Sequence, residues 1–118
     1  MVKAAIFVFA DTETNEGLGR VVNAMITVKE LKQSGDDVRL YFDGTGTKWI
    51  GELSKKSHKA NPLYESVRDK VFGACTFCAT AFGAKESVQQ CNVRLIEEFE
   101  QHISVKELLS NEFHIMNF

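Results

Sequence analysis

Two of the three cysteines, Cys75 and Cys78, stand three residues apart in the run Val71-Phe72-Gly73-Ala74-Cys75-Thr76-Phe77-Cys78-Ala79-Thr80-Ala81-Phe82-Gly83. An apolar segment precedes them and a run of small residues follows, which predicts a strand ending near Cys75 and a helix starting there. The first N–H groups of a helix lack internal partners and carry partial positive charge. A thiol at that junction is expected to have a lowered pKa and to favour the thiolate, the form that does sulfur chemistry. Three chemistries suit such a pair. A thioredoxin-type dithiol is the first, but that fold uses a cis-proline after its pair, and the only proline, Pro62, precedes it. Zinc is the second. A structural site needs four ligands; Cys91 and one of His58, His102 or His114 would complete it, although no second pair at tight spacing exists. Sulfur transfer is the third, with one cysteine holding a persulfide, a reversible modification of an accessible low-pKa thiol. Each of these residues also has a plain structural role. Cysteines are often small core residues, Cys91 at a helix end reads as packing, His58 as solvated, and His102 and His114 as surface or satisfied core.

Two further loops carry polar groups. Asp11-Thr12-Glu13-Thr14-Asn15 follows an apolar run and precedes a helical pattern. A Thr-rich loop there resembles a flavin-phosphate loop, yet Asp11, Glu13 and Glu16 would repel a dianion. The simpler role is capping, with Thr14 or Asn15 as N-cap and the carboxylates at the positive helix end. Asp43-Gly44-Thr45-Gly46-Thr47 reads as a turn opening a short helix from Lys48 to about Leu53; it lacks P-loop spacing. Lys48 and Trp49 are placed at the rim of the same region, with Trp49 equally suited to an interface or the core.

The elements that must position these loops alternate. Lys3 to Phe9, Val38 to Phe42, Phe72 to Cys75, Val93 to Ile96 and Phe113 to Phe118 read as strands, the first a continuous apolar run suited to burial on both faces. Leu18, Val21, Val22, Met25, Val28 and Leu31 recur at helical spacing up to Gly35. Ser54 to Ala60 reads as an exposed loop. Asn61 is expected to cap a helix with Pro62 at its first position and Leu63, Tyr64, Val67 and Val71 on its apolar face. Gly83 ends the helix after the cysteines, and Lys85 to about Cys91 forms another. Ser104 and Glu107 form a capping box, with Ile103 and Leu108 as its staple. The pattern predicts one domain over residues 1–118, α/β in class: a three-layer α/β/α fold with a five-stranded parallel sheet. Ligands collect at the carboxyl ends of such strands. The three loops share that edge.

The chain has 118 residues, 44% apolar and 25% charged, with a net charge of -2, an ordinary globular composition. No basic excess points to nucleic acid, and no apolar run approaches the roughly 20 residues of a membrane span. Met1-Val2-Lys3 runs straight into the first strand without the features of a secretory signal. Three cysteines cannot all pair internally, which fits a reducing cytoplasm.

The joint pattern resembles the DsrE/DsrF-like family of small sulfur-handling proteins over nearly the whole chain. It is carried by Asp11-Thr12-Glu13-Thr14, Gly17-Leu18-Gly19-Arg20, Tyr41-Phe42-Asp43-Gly44-Thr45-Gly46-Thr47-Lys48-Trp49 and Cys75-Thr76-Phe77-Cys78-Ala79 with Ala81-Phe82-Gly83. The resemblance implies a three-layer parallel fold, a homo-oligomer (often trimer or hexamer), and cytoplasmic sulfur relay between donor and acceptor proteins. In sulfur-carrying members the active cysteine lies eight residues before a glycine at the helix end, as Cys75 does before Gly83; Phe82 stands where those members often carry arginine. The expectation is a persulfide on Cys75, more reactive than Cys78, with Cys78 as the neighbouring thiol. Asp11, Thr12, Thr14, Asp43, Gly44, Thr45 and Lys48 are expected to line the substrate site, with no metal and no cofactor. The other class is a non-enzymatic oligomeric binding or regulatory protein.

Overall fold

The structure is a computed structural model and describes residues 1–118. In chain order the elements are β1 (Lys3–Val8), α1 (Asn15–Gln33), β2 (Asp37–Phe42), a 3-10 turn (Gly44–Lys48) leading into α2 (Trp49–Leu53), α3 (Asn61–Val67), a second 3-10 turn (Arg68–Lys70), β3 (Val71–Cys75), α4 (Thr76–Ala81), α5 (Lys85–Gln90), β4 (Leu95–Ile96), α6 (Val105–Ser110) and β5 (His114–Asn117). The five strands form one all-parallel sheet in the order β4-β3-β2-β1-β5. The fold is three-layer α/β/α.

Handedness explains how the layers are filled. From β1 to β4 each strand is laid beside the last in one direction, so right-handed crossovers place α1 to α5 on a single face. The connection from β4 to β5 runs back past β3, β2 and β1, and the same rule sends it, with α6, over the opposite face. The two cores agree. Ala4, Ile6 and Val8 pack with Val21, Met25 and Val28 of α1 and with Ile50, Tyr64 and Val88. Ala5, Phe7, Tyr41 and Cys75 pack with Ile103, Leu108 and Phe113.

The α6 face has thinner helical cover and carries a ladder of stacked cations. Arg39 lies over Phe72 at 4.2 Å and Phe113 at 4.6 Å, Arg94 over Phe72 at 4.3 Å, and Lys3 over Phe113 at 4.7 Å. Such contacts contribute about 0.5–1 kcal/mol each at exposed sites. A cavity of about 250 Å³ is lined jointly by this ladder and α6.

One irregularity aims the cysteine strand. Leu40 pairs with Val71, but Tyr41 pairs with Gly73, which leaves Phe72 as an extra residue on β3. A bulge shifts the two-residue alternation by one. Phe72 and Cys75 therefore both face the α6 side although three residues separate them, while Ala74 faces the helix-rich core. Gly73 lets β4 approach, since a Cβ there would stand 2.6 Å from Ile96 Cδ1 and 2.7 Å from Arg94 O.

Several local expectations are corrected and others narrowed. β5 is an edge strand with His114, Met116 and Asn117 exposed, because β1 is its only partner. β4 shrinks to two residues, and Val71 belongs to β3 rather than to the helix before it. Asn61 does not cap α3; it is buried in the first turn, and its Nδ2 donates to Leu53 O at 2.8 Å. The Ser54–Ala60 segment is not wholly exposed: Ala60 is buried, and His58 Nδ1 accepts from Ala60 N. The capping box is half made. Ser104 Oγ accepts from Glu107 N at 3.2 Å, but Ser104 N donates to Glu98, not Glu107. Trp49 is a core residue, its Nε1 donating to Ala10 O.

Candidate functional site

Cys75 is the last residue of β3 and the N-cap of α4, and its Sγ accepts from Cys78 N at 3.5 Å. This is the junction the sequence predicts. The neighbouring strand β4 ends at Ile96, paired with Cys75. The chain leaves β3 toward the helix-rich face and leaves β4 toward the other, so a crevice opens between the two carboxyl ends. Such a switch point is where open parallel sheets place their ligands.

The connection leaving β4 fills that crevice. Phe99 and His102 bridge across a tight turn, with His102 N donating to Phe99 O at 2.8 Å. The two central residues, Glu100 and Gln101, have φ of 48° and 67°. Both are left-handed and neither is glycine, at a cost of about 1–2 kcal/mol each. Gln101 O accepts from Phe77 N at 3.0 Å, and the Phe77 and His102 rings lie 4.6 Å apart. The turn thereby brings His102 Nδ1 to 3.3 Å from Cys75 Sγ. The sulfur and nitrogen atoms of Cys75, Cys78 and His102 all lie within 4.8 Å of one another. The sequence offers His102 as one of three histidines able to join the cysteines on zinc, with surface or core as its default role; 27 residues from Cys75, it has no spacing signal to single it out, and the opposite exits of β3 and β4 bring it in.

The electrostatics correct the expected thiolate. Burial pushes the Cys75 thiol up, against the opposing Cys78 N–H, and the Asp43 carboxylate raises it further. Cys78 is pushed up to about 12, first by burial and then by the Asp43 carboxylate nearby, with the Gly44 N–H opposing. Helix α4 has only six residues, and its end charge does not offset desolvation beside a carboxylate. Exposure also reverses the expected order: Cys75 is fully buried and Cys78 is partly exposed.

Of the residues expected to line a substrate site, Asp43 and Gly44 are the ones that act on the thiols, the Asp43 carboxylate raising both and the Gly44 N–H opposing the rise at Cys78. The others bind their own chain. Asp11 Oδ1 accepts from Thr12 N and from Lys48 Nζ, each at 2.7 Å, which holds the Asp11 carboxyl below its usual range and raises Lys48. Thr14 Oγ1 caps α1 by accepting from Gly17 N at 2.9 Å, and Thr45 Oγ1 donates to Phe9 O at 2.9 Å. Thr12, Lys48, Phe82 and Cys91 line a separate cavity of about 410 Å³. Cys91 does not join Cys75 and Cys78, so the four-ligand set weighed from the sequence is not assembled.

No family model matches the chain. It is 26% identical over 116 residues to the uncharacterized protein MJ0733 of Methanocaldococcus jannaschii, an alignment covering 98% of this chain and 94% of that one. It is also similar to the solved structure of BT1422, a conserved protein of unknown function from Bacteroides thetaiotaomicron. There the TM-score is 0.63 at 12% identity, over 97% of this chain and 94% of that chain. What this chain shares with that structure is its three-layer parallel fold.

Proposed function

We propose that the protein is a sulfur-relay protein of the DsrE/DsrF-like kind that carries sulfane sulfur as a persulfide on Cys75. The observation that carries this reading is the 3.3 Å approach of His102 Nδ1 to a Cys75 sulfur that also accepts the Cys78 N–H. A raised thiol needs a base, and the imidazole is within reach to serve as one. His102 takes the Cys75 proton as the sulfur attacks the outer sulfur of a donor persulfide, R–S–SH. The donor S–S bond breaks, R–S⁻ leaves with the proton returned by His102, and Cys75–S–SH remains. An acceptor thiolate then attacks the outer sulfur and regenerates Cys75. Alternatively, Cys78 attacks the inner sulfur; hydrosulfide leaves, a Cys75–Cys78 disulfide forms, and a dithiol reductant must reset it. Because Cys75 is buried, exchange requires the connection leaving β4 to move, and its strained turn at Glu100 and Gln101 is the part poised to yield.

The relay fits a reducing cytoplasm, where the three thiols stay free. Exposed Phe77, Phe82 and Phe99 supply apolar contacts for a homo-oligomer, a trimer or hexamer, and for donor and acceptor proteins. A non-enzymatic binding or regulatory role is the second reading, favoured by the full burial of Cys75.

Mass spectrometry after incubation with a sulfane donor separates the two. Relay predicts one added sulfur atom, retained in Cys78→Ser, lost in Cys75→Ser, and formed roughly 10²-fold more slowly in His102→Gln. No adduct on the wild-type protein, or an adduct that survives Cys75→Ser, overturns it.

A further inference from the structure

The same cluster has a capacity that sulfur relay does not require. We infer that Cys75, Cys78 and His102 form a binding site for a single zinc ion with three protein ligands. Two sulfurs and an imidazole nitrogen within 4.8 Å of one another are a soft donor set that selects zinc over calcium or magnesium, which demand oxygen ligands. Around a tetrahedral zinc, with bonds of about 2.0–2.3 Å, donor atoms stand roughly 3.3–3.8 Å apart. The Cys75 Sγ to His102 Nδ1 distance of 3.3 Å already meets this, and the pairs with Cys78 Sγ, within 4.8 Å, need to close by about 1 Å at most. The ligands come from supported positions. Cys75 ends a central strand, Cys78 is in the first turn of α4, and His102 is held by the bridged turn with its ring tilted against Phe77. Three ligands leave the fourth position open, the arrangement of reactive rather than purely structural zinc sites.

Zinc and a persulfide compete for Cys75 Sγ, so zinc occupancy would silence relay; the site itself stands on the three donor atoms whether or not relay occurs. The test is titration of the reduced, chelator-stripped protein with zinc in competition with a chromophoric chelator, with cobalt as a spectroscopic substitute. The expected result is one zinc per chain and, with cobalt, thiolate charge-transfer absorption. Affinity should fall at least tenfold in His102→Gln and be lost in the Cys75→Ser/Cys78→Ser double variant, with circular dichroism reporting the fold of each. No zinc uptake by the wild-type protein, or equal uptake by a folded double variant, overturns the inference. Sulfur loading, measured separately in the presence of chelator, reports on relay alone.

Discussion

The carboxyl edge of the sheet has two halves with opposite characters. Around β1 and β2 nearly every polar group has a local partner: Asp11 with Thr12 and Lys48, Thr14 with Gly17, Thr45 with Phe9, Thr47 with Gly44. Around β3 and β4 the chain does the reverse. It holds two thiols against their ionisation, sets an imidazole beside them, and accepts two left-handed residues to do so. Polar loops rich in Asp, Thr and Gly look functional in a sequence because they are built from hydrogen-bonding residues. Here those bonds close the loops onto the scaffold. In the other half two thiols are buried beside a carboxylate with little to offset the cost.

The largest effect that would sharpen this contrast is Gly46→Ala, in the first half. A Cβ at Gly46 would run into Val8 C and O, backbone atoms of a central strand that cannot move aside. Chemical denaturation is expected to show a loss of about 1–3 kcal/mol or more, while the folded fraction loads sulfur normally. A stable Gly46→Ala protein with impaired loading would break the division between the halves.

The second effect belongs to the cysteine half and is read by pH. The Cys75 and Cys78 thiols are raised in the folded chain, so they release protons more easily when unfolded. Their contribution to stability is complete below the unfolded value of about 8.5 and is lost as pH rises toward the folded values. Tyr64, pushed up to about 12 by burial, adds the same sign above about pH 10. Urea midpoints should fall between about pH 8.5 and 10 and fall less in Cys78→Ala. An identical slope in the variant would show that the thiols are not held as the burial implies.

The smallest effect is expected from Lys48→Gln. The Lys48–Asp11 pair is solvent-facing, and exposed pairs contribute little. Neither the urea midpoint nor the sulfur-loading rate should change measurably. A loss of loading would give the first half a functional role.

Residue patterns alone specify the α/β alternation, the parallel five-stranded sheet, the first and second strands to within one residue at one end, and the placement of Cys75 as an N-cap. These follow from local periodicity, from Gly35 and Gly83 at positive φ, and from the rule that crossovers are right-handed. The thiol pKa was not legible, since it depends on how much water and which carboxylate surround the sulfur once packed. The Phe72 bulge was not legible either, because an apolar run carries no mark of which residue goes unpaired. Above all, which of the three histidines meets the cysteines is a tertiary matter, and it is His102. Its approach to Cys75 arises because β4 lies beside β3 but sends its chain to the opposite face, and because β1 is already flanked by β2 when β5 must find an edge. That relation is a property of strand order, which no local pattern of residues encodes.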